Sequence, residues 1–125
     1  MASKVIHFEI PIDDSERAIG FYGTVFGWEL DRFGPVEYWT TRTGEGPGID
    51  GALTARDPDA PGLVFYISVD DVDEALASIE ANGGERLSDR MPIPGVGWMA
   101  FFADTEGNRV GIFQDDATAP VPDSM

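Results

Sequence analysis

His7 is the only histidine in this 125-residue chain, which also has no cysteine. An imidazole titrates near neutrality, so His7 is the side chain best suited to move a proton, bind a metal ion or contact a substrate. The other reading is a satisfied histidine left from an ancestral site. Glu9 stands two residues on, and in a strand that spacing means the same face. A carboxylate on an interior face is costly unless paired, so His7 with Glu9 is the candidate catalytic pair. Late in the chain Arg109 alternates onto the face of Gly111. It is expected to pair with Glu9 or to hold an anionic ligand, unless both lie on a wetted rim. Without cysteine there are no disulfides, no thiolate nucleophile and no thiolate metal site.

The elements that position these residues are written twice. Residues 5–28, VIHFEIPIDDSERAIGFYGTVFGW, meet VFYISVDDVDEALASIEANGGE from Val64 onward after a shift of 57 positions. Asp13-Asp14 falls on Asp70-Asp71, Ile19 on Leu76 and Gly27 on Gly84. Each copy is an apolar strand, an acidic pair, a helix and a glycine stop, so the repeat describes the whole architecture. In the first strand Ile6, Phe8 and Ile10 should pack under a helix while Val5, His7 and Glu9 face away. Pro11 is expected to end the pairing. Asp13 or Asp14 caps a helix over 15–26, whose apolar stripe is Ala18, Ile19, Tyr22, Val25 and Phe26.

Strands are predicted over 28–30, 38–42 and 49–55, and again over 63–69, 85–88, 98–103 and 109–114. A second helix follows Asp70-Asp71 with the stripe Val72, Ala75, Leu76 and Ile79. Residues 91–97 (MPIPGVG) read as a loop, and Pro92 to Trp98 either as a lid hinged at Gly95 and Gly97 or as a plain surface loop. The acidic pairs are explained as helix caps rather than a metal site, and Asp104 to Gly107 has too few ligands for a calcium loop. The sum is strand, helix and three strands, twice.

HFEIPIDDSERAIGFYGTVFGW, YISVDDVDEALASIEANGG and FADTEGNRVGIFQ together resemble the vicinal oxygen chelate superfamily of glyoxalase I, bleomycin- and fosfomycin-resistance proteins and extradiol dioxygenases. The last resembles that family's DPxGNxxE signature. The resemblance implies an α+β fold of two βαβββ modules forming a glyoxalase/bleomycin-resistance-type half-open barrel around a cavity. It implies one domain over 1–125: module 1 at about 4–55, a linker at 56–62, module 2 at about 63–114 and an acidic tail at 115–125. In metal-using members His, Gln and Glu side chains hold a divalent ion such as Zn, Ni, Mn or Fe. Of the four ligand positions only His7 carries a ligand. The others fall on Val64, Gly111 and Gly51, so no metal residues and no cofactor are assigned.

Where ligand side chains are missing, aromatic walls with a few polar groups describe a small-molecule pocket. Tyr66 and Phe113 are the expected lining, with Tyr38, Trp39, Trp98 and Arg109. The functional reading is metal-free binding of a small, partly apolar or aromatic molecule, with a metal-dependent lyase or isomerase of the glyoxalase I type as the alternative.

Twenty-three acidic residues against eight basic ones give a net charge of −15. That field repels nucleic acid and anionic membrane. It suits a high-salt cytoplasm, where screening relieves self-repulsion, or an ordinary acidic protein. The apolar content of 42% is that of a globular chain, and no apolar run is long enough to span a bilayer. A cytoplasmic homodimer is expected, because exposed module edges invite pairing.

Overall fold

The computed structural model describes residues 3–59 and 62–121. They fall into two compact units, Ile6–Phe65 and Tyr66 onward, the latter taking in the N-terminal residues up to Val5. Residues 60 and 61 of the expected linker and 122–125 of the expected tail lie outside the described residues.

The first unit is built from β1 (Val5–Ile12), α1 (Ser15–Phe26), β2 (Glu29–Arg32), β3 (Tyr38–Arg42) and β4 (Asp50–Ala55). Its strands run in the order β2-β3-β4-β1. β1 pairs with β4 in parallel, and the other neighbours are antiparallel. Asp14 caps α1 by accepting the Arg17 N–H, and Gly27 ends it at φ 73, donating its N–H to the Gly23 carbonyl. A left-handed φ at that position favours glycine.

Pro11 does not end the strand: it pairs opposite Thr54, and β1 continues to Ile12 opposite Ala55. Proline lacks only the N–H donor, and the Ile12 carbonyl still accepts from Arg56. None of α1 is fully buried. The helix side is filled by rings instead. Tyr22 stacks on Trp28 at 5.1 Å, and Trp28 touches Phe8 at 5.8 Å.

The second unit repeats the plan with β5 (Val64–Ser68), α2 (Val72–Ala81), β6 (Glu85–Arg86), β7 (Met91–Ile93), β8 (Gly97–Ala103) and β9 (Arg109–Asp115). β5 runs parallel to β9, and β8 is antiparallel to β9, β6 and β7. Asp71 caps α2 through the Glu74 N–H, while Gln114 Oε1 accepts from the Val72 N–H at 2.9 Å. Val72 and Leu76 are fully buried and pack in one core cluster with Ala100, Phe102, Val110 and Ile112. Alternation along β8 and β9 thus sends Val110 and Ile112 toward α2, and Arg109, Gly111 and Phe113 the other way.

The expected loop at 91–97 is partly strand. Met91–Ile93 pairs with Met99–Gly97, with Pro92 opposite Trp98; proline is tolerated on an edge strand. The segment is also tied to the residues that follow β9. Gly95 donates to the Ala119 carbonyl and Asp116 to the Val96 carbonyl. A Cβ on Gly97 would strike the Gln114 carbonyl. The first residues of the acidic tail therefore lie against their own chain, with Ala119 buried.

Candidate functional site

Strand alternation and register assemble a polar face in the first unit. His7 and Glu9 project from one side of β1, and the parallel register sets His7 beside Asp50 and Glu9 beside Ala52. The β3–β4 pairing sets Thr40 opposite Ala52 and Tyr38 opposite Thr54 on that same side. His7 Nε2 lies 2.7 Å from the Tyr38 hydroxyl and 4.0 Å from Glu9 Oε2. The two rings are near-parallel, 20° apart with centroids 6.4 Å apart, and Phe33 meets Tyr38 edge-on at 6.2 Å.

Burial holds the His7 imidazole below its ordinary pKa, against the upward pull of the Glu9 and Asp50 carboxylates. The neutral ring is therefore favoured at neutral pH. With its proton on Nδ1, Nε2 accepts from the Tyr38 hydroxyl; with the proton on Nε2 the direction reverses. An imidazole and a phenol joined in this way can exchange hydrogen bonds with a ligand's oxygen or relay a proton.

The second unit presents an aromatic face on the side away from α2. Tyr66 is buried at 6% exposure and lies over Gly111, where an added Cβ would strike its ring. Phe101, which pairs opposite Gly111, touches Tyr66 with centroids 5.8 Å apart. The Arg109 guanidinium sits 4.3 Å above Phe101. Phe113 is half-buried on the same side, its ring 2.8 Å from where a Cβ on Gly97 would be.

The structure thus joins His7, Glu9 and Tyr38 within one unit, and Tyr66, Arg109 and Phe113 within the other. It places Trp39 and Trp98 elsewhere. Trp39 pairs opposite Leu53, on the helix side of its sheet, under Arg32 at 5.6 Å. Trp98 packs against the core beneath α2, with Arg90 at 4.1 Å and its Nε1 donating to Asp116. Asp50 and Phe101 are site residues that the sequence pattern did not single out. Phe101 was reachable in principle, because the short turn after Ala103 sets it opposite Gly111. Asp50 needed the β1–β4 register.

That register also moves one family position. Tyr66 pairs with Gly111 as Glu9 pairs with Ala52, so the first-unit counterpart of Gly111 is Ala52 and not Gly51. Gly51 lies on the helix side, covered by Phe8. The two glycines leave room for Phe8 and Tyr66 rather than for a ligand.

Neither Ala52 nor Gly111 has a side-chain donor atom to offer a metal. Among the described residues no three His, Cys, Asp or Glu side chains come together as a metal site, so the residues present do not fit the family's divalent ion. In the turn after β8, Asp104 accepts the N–H groups of Glu106 and Asn108 and the Asn108 amide. These bonds hold its carboxyl below the usual range and turn it toward its own loop.

A strand and helix followed by further strands, three in the first unit and four in the second, each unit with an open sheet face carrying the polar or aromatic groups, defines a class of protein, and the comparisons agree on it. The profile of the Glyoxalase/Bleomycin resistance protein/Dioxygenase superfamily matches residues 4–112. A glyoxylase-like domain-containing protein of Didymella fabae is 37% identical over 117 residues, covering 87% of this chain and 91% of that protein. A hypothetical protein of Bacillus halodurans C-125 superposes at TM-score 0.70 and 15% identity, over 97% of this chain and 100% of its own. Methylmalonyl-CoA epimerase of Mycobacterium tuberculosis superposes at 0.64 and 16% identity, over 94% and 88%. The chain belongs to the glyoxalase/bleomycin-resistance/dioxygenase superfamily and has its α+β fold.

Proposed function

We propose that this protein binds a small, partly apolar or aromatic molecule without a metal ion, and that His7 and Tyr38 hold the ligand's polar group. The observation that carries this reading is the 2.7 Å contact between His7 Nε2 and the Tyr38 hydroxyl on a half-buried polar face. Members of the superfamily commonly bind small ligands. Here the neutral imidazole, the phenol and the nearby Glu9 supply hydrogen bonds of either sense without a bound cation. We propose further that the protein works in the cytoplasm as a homodimer, a reading supported by its acidic charge and by sheet edges open to pairing. Separately, no helix among the described residues is long and apolar enough to cross a membrane.

The test is thermal unfolding of chelator-stripped protein against nickel, zinc, manganese, iron and magnesium, then against a panel of small aromatic molecules, with elemental analysis of the purified protein. A ligand that binds only the folded state raises Tm. The expected result is no metal, no metal-induced shift, and a shift with aromatic molecules that falls in Tyr38→Phe and His7→Asn. A second reading is a metal-dependent lyase or isomerase of the glyoxalase I type; the Didymella relative is named glyoxylase-like, which supports the glyoxalase kinship alone. One metal per chain with a matching rise in Tm would replace the first reading with the second.

A further inference from the structure

Arg109 is half-buried, yet among the described residues it has neither an ion pair nor a hydrogen-bond acceptor for its guanidinium; its contact is the Phe101 ring. Arg86, the other half-buried arginine, is engaged, as are three exposed ones, while exposed Arg17 and Arg42 show no ion pair among the described residues. Arg56 meets Asp13, Arg86 meets Glu80 and Asp89, Arg90 meets Asp73, and Arg32 donates to two carbonyls. What sets Arg109 apart is that it is half-buried and has no carboxylate partner among the described residues, in a chain with 23 acidic residues. One acidic neighbour across the sheet is Glu85. It stands in one row with Ala103 and Arg109 across β6, β8 and β9, and still the guanidinium turns to the ring.

A guanidinium lying on an aromatic face is oriented by it, and the N–H groups along its edge remain available in the plane. Taking such a group partly out of water without an acceptor is unfavourable. A carboxylate arriving in that plane would receive two parallel N–H···O bonds. Phe101, Tyr66 and Phe113 on the same side of the sheet offer flat apolar surface to whatever bears that carboxylate. We propose that Arg109 on its Phe101 platform is an anion subsite, and that the ligand class is a carboxylate attached to a planar, apolar body.

This rests on the small-molecule reading above and deepens it. The experiment compares benzoate with benzamide, which share shape and differ in charge, by calorimetric titration of metal-stripped protein in 0.15 M KCl. At that salt the field of the whole protein is screened beyond about 8 Å while a direct contact survives. Benzoate is expected to bind at least about tenfold more tightly than benzamide, in keeping with a charge-assisted pair of hydrogen bonds.

Arg109→Met keeps bulk over Phe101 and should bring the two affinities together by weakening benzoate alone. Arg109→Lys restores charge without the fork and should recover part of the difference. Melting curves identify any variant that fails to fold, and the Lys variant then carries the comparison. Equal affinities in the unaltered protein, or a preference that persists in both variants, overturn the anion subsite while leaving small-molecule binding standing. Silence of both probes at millimolar concentration, with no other aromatic raising Tm, overturns this inference together with the reading beneath it.

Discussion

His7 is held neutral by burial, and that has a pH signature. Its folded pKa is lowered, so on acidification the unfolded chain takes up its proton first. Stability from this group is fully present above the ordinary histidine value and is lost as pH falls from there through the folded value. Urea denaturation between pH 7.5 and 5 should show declining stability that flattens in His7→Asn; an unchanged slope in the variant would refute the assignment. Gly111 makes a separate prediction. A methyl there must displace the Tyr66 ring, so Gly111→Ala should cost about 1–3 kcal/mol, the usual range for overpacking. An equally stable variant would mean that the Tyr66 ring does not lie over Gly111.

The two helices are matched in sequence but differ in how they are held. α2 buries Val72 and Leu76 completely, whereas α1 leaves Phe26 at 59% exposure and Phe21 at 56%. Leu76→Ala should therefore destabilise by about 2–5 kcal/mol, and Phe26→Ala by under about 1 kcal/mol, a contrast that chemical denaturation will read directly. Both helices depend on their caps. Asp14→Ala and Asp71→Ala should each cost about 0.5–2 kcal/mol, because each removes the acceptor of a first-turn N–H. β2, at the edge of its sheet, is short and carries Glu29, Asp31 and Arg32. Such charges discourage further strand pairing at that edge.

For the whole molecule the strongest influence is the net charge of −15. Self-repulsion is screened within about 10 Å at 0.1 M salt and about 3 Å at 1 M. Raising KCl across that range should lift Tm and, for the proposed homodimer, shift sedimentation toward the dimer as two like-charged copies cease to repel. A salt-independent Tm would show that the charges are too well separated or too solvated to matter. A single monomer boundary at every salt concentration would end the homodimer proposal.

What the sequence determined by itself was local and periodic. The two helices, their aspartate caps, the Gly27 stop and the repeated plan depend on neighbouring residues, and the structure has them where the pattern placed them. The family followed from motifs on those same elements. Strand faces within one strand were also legible, so His7 with Glu9, and Arg109 with Phe113, were grouped correctly along their own chains. Only the tertiary structure decided which strands share a register. That register sent Tyr38 to the His7 face and Trp39 to the opposite one. It put Trp98 in the core under α2, made Ala52 rather than Gly51 the counterpart of Gly111, and drew Met91–Ile93 into the sheet. The physical reason is that side-chain alternation is a property of one strand, whereas pairing joins residues far apart in sequence, and a shift of one residue exchanges the two faces.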